Sequence, residues 1–235
     1  MRKQGKNQKL EKMISRVSGV SFITITLLIV AGSGFFTDSS LFVEDWIVEW
    51  LQVVLLVVAG VLSLVSFFKL RTLQGIWKFV PLLFGLFCIW VALEEISYGQ
   101  RIFGFESPYW FLRHNVHREV NIHNLLPLDH TSEVAIMSLH ILWGLVFPIT
   151  ALALPKVENF ARERFIPLPG AVTLTGCGLG LGLELYARAY CPGYWPMSNE
   201  ILETYLYLAF LMSAFRIYTG MGSVLPEKKD PEWES

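Results

Sequence analysis

Long apolar runs alternate with short polar segments along most of the chain, and this is its strongest pattern. A transmembrane helix needs about 20 mostly apolar residues. Runs of roughly that length cover residues 17–36, 46–68, 79–97, 132–154, 166–189 and 200–219. The pattern therefore predicts an all-α fold, a polytopic bundle of about six transmembrane helices. They form one membrane domain over 17–219, between a basic tail at 1–16 and a polar tail at 220–235.

The first apolar run also has the features of a secretory signal peptide. A basic leader precedes it, and Ala31-Gly32-Ser33 resembles a small-residue cleavage site. The run continues through Phe35 and Phe36, which favours an anchor that stays in the membrane. The sequence is thus consistent with a signal peptide that is cleaved and with a first span that is retained.

Composition supports a membrane protein. Hydrophobic residues make up 53% of the chain and charged residues 17%, whereas soluble domains carry about 25% charged residues. The formal net charge is -1, and no basic face occurs outside the N-terminal tail. A nucleic-acid partner is therefore not indicated, and the lipid bilayer is the expected surrounding.

Basic residues between the predicted spans indicate the orientation of the chain, because Lys and Arg accumulate in cytoplasmic loops. With the N-terminus inside, the cytoplasmic segments contain, besides the basic tail, Lys69, Arg71, Lys78, Lys156, Arg162, Arg164, Lys228 and Lys229. The predicted outer loops 37–45 and 191–199 contain no Lys or Arg. This distribution predicts that both termini are cytoplasmic and that the long loop 98–130 is extracytoplasmic.

Two adjacent glutamates mark the outer end of the third predicted span. Charged groups are costly inside a bilayer, so their presence suggests a functional site. Glu94 and Glu95 point about 100° apart around a helix, so we expect one to face the bundle and the other to face the loop. If the helix continues, Tyr98 and Arg101 share the face of Glu94, unless Gly99 interrupts it.

The extracytoplasmic loop 98–130 is long and rich in aromatic residues, which indicates structure rather than disorder. Ser107 followed by Pro108 is typical of a helix N-terminus, and predicts a short interfacial helix from Pro108 to about Arg113. Between 115 and 123 the odd-numbered residues are polar and most even-numbered ones are apolar. This period of two predicts an extended, re-entrant or lid-like segment with one polar face.

Further charged residues fall near the outer ends of the other predicted spans. They are Glu49, Glu133, Glu184, Arg188, Glu200 and Glu203. The cytoplasmic ends of the spans carry only basic anchors of the usual kind. Acidic residues scattered at random would not all lie on one side, so the pattern predicts a partly buried polar cavity. We expect it to open to the outside or to the outer leaflet.

A motif pair begins with the segment EEISYGQRIFG, from Glu94 to Gly104, and ends with NIHNL, from Asn121 to Leu125. It resembles a pair in uncharacterised bacterial multi-pass membrane proteins, whose common form has tryptophan at the position of Tyr98 and glutamine at that of His117. The resemblance implies a multi-pass protein of the bacterial inner membrane, but it does not imply a particular activity. It also implies that His123 is a better candidate for an essential ligand than His117.

One hypothesis is a membrane-embedded hydrolase or transferase that acts on a lipid or lipid-linked substrate at the outer leaflet. The candidate catalytic residues are Glu94, Glu95 and His123, with a glutamate as general base. The candidate substrate-binding residues are Arg101, Gln100, Asn121, Asn124, Arg188, Glu184, Glu200 and Glu203. The candidate metal ligands are His114, His123 and His140. A divalent metal is thus one option for a cofactor, although no H-E-x-x-H signature occurs.

Two other classes of function use the same residues. A non-catalytic membrane protein could bind a ligand or a partner there, because structural ion-pair networks form similar clusters. A proton- or cation-coupled transporter also needs intramembrane carboxylates, but it predicts repeated halves with broken helices. The sequence shows no internal repeat, and the inner halves of its spans are nearly uncharged. The transporter hypothesis therefore ranks last.

Overall fold

The computed structural model describes residues 47–70, 75–125, 129–170, 172–190 and 195–220. Within these ranges every regular element is a helix, and one isolated β-bridge joins Asn115 to Leu125. The all-α prediction is therefore confirmed for this part of the chain. The first predicted span, the N-terminal tail and the C-terminal tail beyond Gly220 lie outside the described residues.

The long helices coincide with apolar runs of the sequence. The helices in chain order are α1 (Ile47–Leu70), α2 (Val80–Glu95), α3 (Gln100–Phe103), α4 (Tyr109–His114), α5 (Asp129–Leu139), α6 (Phe147–Ala153), α7 (Pro155–Glu163), α8 (Val172–Tyr190) and α9 (Trp195–Gly220). A 3₁₀ turn, Ile76–Phe79, leads into α2, and another, Ser97–Gly99, follows it. A π-helical segment, His140–Val146, joins α5 to α6.

Four helical stretches in the described ranges are long and apolar enough to cross a membrane. They are Val48–Leu70, Ile76–Glu95, Val134–Ala153 and Asn199–Gly220, and they match four of the predicted spans. The predicted span 166–189 differs, since α8 begins only at Val172. Pro167 and Pro169 precede it and cannot donate backbone N–H groups to a helix. Glu184 and Arg188 lower its apolar character further.

Helix α9 is the central helix of the bundle. In its most apolar window 72% of the residues are buried, against 22–39% in the other three stretches. A helix that is buried all round needs neighbours on every side, and α9 packs against α1, α8, the π-helical segment and α2. Tyr205, Phe210 and Leu202 on this helix are among the largest fully buried side chains. The apolar side chains on the outside of α1 and α2, such as Phe68 and Leu83, are exposed, as lipid contact requires.

The backbones of α1 and α2 approach closely at Gly60 and Gly85. A Cβ atom built on Gly85 would lie 3.0 Å from the carbonyl oxygen of Gly60 and 3.1 Å from Cγ of Leu64. Small residues permit such an approach between membrane helices. The contact fixes the two helices, and the polar residues at their ends, relative to each other.

Helix α7 forms in a segment that the sequence suggested only as a cytoplasmic connection. It lies between α6 and α8, and Ala161 packs in a small apolar cluster with Ala151 and Leu168. Arg216 of α9 donates hydrogen bonds to the carboxylate of Glu158 and, at 3.0 Å, to the carbonyl oxygen of Leu168. This arginine therefore attaches the α7 region to the central helix.

Candidate functional site

Helix α2 ends at Glu95, and the chain then turns back sharply. Ser97, Tyr98 and Gly99 have φ angles of 48°, 52° and 91°. These left-handed conformations end a helix, and only glycine adopts them without strain. The helix therefore does not continue to Arg101. Tyr98 nevertheless folds back onto the end of α2, where its hydroxyl donates to the carboxylate of Glu94.

Glu94 faces the loop, and its carboxylate is occupied there. It accepts hydrogen bonds from the Tyr98 hydroxyl and from the backbone N–H groups of Ile122 (2.8 Å) and His123 (3.1 Å). Nδ1 of His123 lies 3.2 Å from the same carboxylate. Burial and the hydrogen bond to Glu94 raise the pKa of Tyr98, so the phenol remains a donor. This arrangement makes Glu94 an anchor for the loop and does not favour it as a general base.

A second carboxylate, Glu119, holds the same turn from the other side. It accepts hydrogen bonds from Ser97 Oγ (2.5 Å), Arg101 Nη2 (3.0 Å) and Asn121 Nδ2 (3.3 Å). The other terminal nitrogen of Arg101 donates to Glu49 of α1. Both side chains of this ion pair are 12% exposed. Arg101, a candidate substrate-binding residue, thus joins the loop to α1, and two carboxylates share its charge.

The segment 115–125 is a turn-rich loop and not the extended strand that the alternating pattern predicted. The side chain of Asn115 causes the difference. Its Oδ1 accepts the N–H groups of His117 (2.9 Å) and Glu119 (3.2 Å), and its Nδ2 donates to Oδ1 of Asn121 (2.7 Å). Asparagine side chains that bond to nearby backbone groups in this way stabilise turns.

The alternation describes which side chains face the protein at some positions of this loop, but not at His117, which is polar and exposed. Asn115 and Asn121 are buried, whereas Val116 and Ile122 are 44% and 43% exposed. Asn124, a candidate substrate-binding residue, contributes its backbone carbonyl, which accepts the N–H of Val116 at 2.8 Å and closes the loop. The exposed apolar residues suit a loop that lies near a bilayer surface.

Gln100 fixes the aromatic part of the loop to the part that follows α4. Its Nε2 donates to the carbonyl oxygen of Phe105 (3.1 Å) and to Ser107 Oγ (2.7 Å). Its Oε1 accepts the N–H of Val120 at 2.9 Å. A residue predicted to bind substrate is therefore engaged in holding the loop together.

The short helix predicted near Pro108 is present as α4, Tyr109–His114, but its N-terminus differs from the prediction. Pro108 is the N-cap residue and is not the first helical residue. Ser107 does not cap the helix, because its hydroxyl donates to the carbonyl oxygen of Arg118 at 2.5 Å. The serine binds another part of the loop instead.

Glu95 points into the bundle, which confirms that the two adjacent glutamates face different surroundings. Tyr207 of α9 donates its hydroxyl to Glu95 Oε1 at 2.7 Å. Glu200 and Glu203 of α9 lie near enough to interact electrostatically with Glu95 and with Glu49. We call these four glutamates the acidic cluster. It brings together carboxylates from α1, α2 and α9.

Gln52 belongs to the same region, although it is not among the site residues that the sequence predicts. Its Nε2 donates to the carbonyl oxygen of Glu200 (3.1 Å), to Glu200 Oε2 (3.0 Å) and to Thr204 Oγ1 (3.1 Å). Gln52 is fully buried, and its Oε1 has no hydrogen-bond partner in the described part of the chain. The sequence feature that could have identified Gln52 is its polar amide inside an apolar run. Gln52 follows Glu49 by three residues, which places the two side chains on the same helix face.

The three histidines predicted as metal ligands lie apart. His114 stacks on Trp110, with ring centroids 4.7 Å apart, and its Nδ1 lies 2.8 Å from the carbonyl oxygen of that residue. His140 is buried in the π-helical segment, with Nε2 2.8 Å from the carbonyl oxygen of Cys177 in α8. His123 belongs to the loop anchored on α2. Among the described residues, no group of three or more His, Cys, Asp or Glu residues could hold a metal ion.

Arg188 and Glu184 form an ion pair one turn apart on α8, as their spacing predicts. The Glu184 side chain is fully buried and that of Arg188 is 35% exposed. The pair lies on α8, which packs against α9. The side chain of Glu133, near the start of α5, lies outside the described residues.

A cavity of about 390 Å³ lies beside Arg101. Its lining consists of Trp50, Gln100, Arg101, Gly104, Phe105 and Glu119. A mixed aromatic and polar lining suits an amphipathic ligand such as a lipid headgroup. Because Arg101 also pairs with Glu49, the cavity adjoins the acidic cluster.

No protein-family model, curated protein sequence or solved structure matches the chain. The resemblance of its motif pair to bacterial multi-pass membrane proteins therefore stays a prediction.

Proposed function

We propose that the protein is a membrane-embedded hydrolase or transferase that acts on a lipid or lipid-linked substrate at the extracytoplasmic side. The observation that carries this proposal is the acidic cluster, in which carboxylates from three helices converge beneath a structured loop. Neighbouring carboxylates in different surroundings can divide the roles of general base and general acid between them.

Glu95 is the residue that we assign as general base. It is partly exposed, and Tyr207 donates to one of its oxygens. Its second oxygen accepts no hydrogen bond from the described residues, so it is available to a substrate. Glu94 lacks this freedom because its carboxylate already accepts bonds from the loop. Its role is to position the loop above the site.

The cavity beside Arg101 provides the place for the polar part of the substrate. Trp50 and Phe105 offer apolar contact area. Glu119 offers its Oε1, because the hydrogen bonds that it accepts from described residues all end on Oε2. Acyl chains of a lipid substrate would remain in the bilayer, along the exposed apolar faces of α1 and α2. This arrangement supports a substrate that is itself a membrane component.

A non-catalytic ligand-binding protein is the second candidate function. It is favoured by the extent to which polar groups of the loop bond to one another. Arg101, for example, pairs with both Glu49 and Glu119. A scaffold of this kind can present a binding site without performing a reaction.

Lipid conversion in reconstituted bilayers tests the proposal. The purified protein is incubated in vesicles made from a bacterial lipid extract, and lipid classes are followed by mass spectrometry. We expect a time-dependent loss of one lipid class with the unmodified chain and with Glu106→Gln, an exposed position on the loop. Glu95→Gln should slow this loss about 100-fold or more, since a general base contributes about 10²–10⁴.

Two results would contradict the enzymatic proposal. One is a folded, unmodified chain that converts no lipid. The other is conversion that continues undiminished in Glu95→Gln. Saturable lipid binding without conversion would support the second candidate instead.

A further inference from the structure

The acidic cluster brings four carboxylates near enough to act on one another electrostatically. Arg101 is a cation that acts on Glu200. The same arginine already pairs with Glu49 and with Glu119 of the loop. Carboxylates that are brought together repel one another when ionised, and this repulsion is costly at membrane depth. A bound cation would remove this cost.

An independent observation at Gln52 points to a hydrogen-bond donor at the same place. Its Nε2 faces three acceptors, on Glu200 and Thr204, which fixes the orientation of the amide. The opposite orientation would place Oε1 against the Glu200 carboxylate. The Oε1 atom is therefore an acceptor, and it is fully buried without a partner among the described residues. Buried acceptors of this kind normally have a donor.

We infer that the site binds a protonated primary amine, held by Gln52 Oε1 together with carboxylates of the acidic cluster, chiefly those of Glu95 and Glu200. A primary ammonium group carries one positive charge and three N–H donors. It can satisfy a neutral oxygen and two carboxylates at once. This assignment rests on the proposed function for the location of the site, and it names the chemical class of the ligand.

Two other kinds of cation fit the site less well. The described residues include no group of three or more His, Cys, Asp or Glu residues placed to hold a metal ion. A quaternary ammonium has no N–H donor for Gln52 Oε1, and it is usually recognised by a cage of aromatic rings. A primary amine provides both the charge and the missing donor.

The amine can come from a membrane lipid or from solution. In the first case it is the headgroup of phosphatidylethanolamine, for which the cavity lined by Trp50, Arg101 and Phe105 offers space. In the second case it is a small soluble amine such as ethanolamine. The ammonium chemistry is shared by the two sources, and competition between them separates them.

Binding is measured on the full chain in detergent by native mass spectrometry, with thermal unfolding as the check of folding. The probes are phosphatidylethanolamine, phosphatidylcholine with the same acyl chains, and free ethanolamine. We expect the ethanolamine lipid to bind about ten-fold more tightly than the choline lipid, because only the former has N–H donors. Gln52→Met, which has nearly the same shape, and Glu95→Gln should each abolish this preference. Glu106→Gln should keep it.

The possible results separate the alternatives. Competition by free ethanolamine would identify a soluble amine as a ligand, and binding of the lipid alone would identify the headgroup. A folded, unmodified chain that neither prefers the ethanolamine lipid nor binds ethanolamine would overturn the inference. A preference that survives in Gln52→Met would overturn the assignment of the site. Amine binding without lipid conversion would contradict only the proposed function, and conversion without amine preference would contradict only this inference.

Discussion

Replacing Glu94 by alanine removes the group that attaches the loop 115–125 to α2. The Tyr98 hydroxyl and the backbone N–H groups of Ile122 and His123 all donate to this carboxylate. In the variant these donors lose their acceptor at a place where the side chain of residue 94 is buried. We therefore expect the loop to open more often than in the unmodified chain.

The size of the effect follows from the number and type of the lost bonds. A hydrogen bond to a charged group contributes about 1.5–3 kcal/mol, and neighbouring bonds are not additive. Loss of three such bonds should therefore cost about 3–5 kcal/mol. The transmembrane helices pack through their own apolar contacts, so this cost should appear as local opening of the loop and not as global unfolding.

Hydrogen–deuterium exchange of the protein in lipid nanodiscs measures this opening. Peptides that cover residues 115–125 should exchange about 100-fold faster or more in Glu94→Ala, since every 1.4 kcal/mol is about a factor of ten. Peptides from α9 should exchange at an unchanged rate. The matched control is Glu95→Ala, which removes a neighbouring carboxylate that bonds to Tyr207 and not to the loop.

Equal protection of residues 115–125 in Glu94→Ala and in the unmodified chain would refute the role of Glu94 as an anchor. If Glu95→Ala accelerated exchange of the loop as much as Glu94→Ala, the assignment of Glu94 to the loop and Glu95 to the bundle would be contradicted.

Three other predictions follow from contacts elsewhere in the bundle. Gly85→Leu should lower the unfolding temperature by an amount that corresponds to about 1–3 kcal/mol, because even a Cβ atom there would lie 3.0 Å from the Gly60 carbonyl oxygen. Gly178→Leu is the control and should have little effect, because a Cβ atom at Gly178 meets nothing within 4 Å. Arg216→Ala should speed hydrogen exchange in residues 155–168, which this arginine attaches to α9, and unchanged exchange would contradict that role. His114→Ala and His140→Ala should leave the metal content measured by elemental mass spectrometry unchanged, because the two residues lie on separate elements; loss of a stoichiometric metal in either variant would argue against this.

The sequence predicted those features that depend on local geometry. The apolar length of a segment decides whether it can cross a membrane, and four spans were found in this way. The angular spacing of residues on a helix placed Glu94 and Glu95 on different faces, and the structure confirms this. The suggestion that Glu49 joins the polar cluster is also confirmed, by its ion pair with Arg101.

Features that depend on particular side-chain contacts were not predictable in this way. The alternation in 115–123 suggested a strand, but Asn115 bends the chain through bonds to its own neighbours. Gln52 gave a weak signal, because an amide in an apolar run becomes informative only when its partners on α9 are known. The histidines were grouped by their closeness in the sequence or by membrane depth, and tertiary structure separates them.

The proposed function requires the polar site to face the extracytoplasmic side, and thiol labelling in intact cells tests this most directly. Single cysteines are introduced as Glu106→Cys, near the cavity, and as Lys156→Cys on α7, both at exposed positions. Cys191 is replaced by serine, and Cys88 and Cys177 are buried. We expect a membrane-impermeant maleimide to label Glu106→Cys in intact cells and Lys156→Cys only after permeabilisation. The reverse pattern would place the site on the cytoplasmic side and contradict the proposed function.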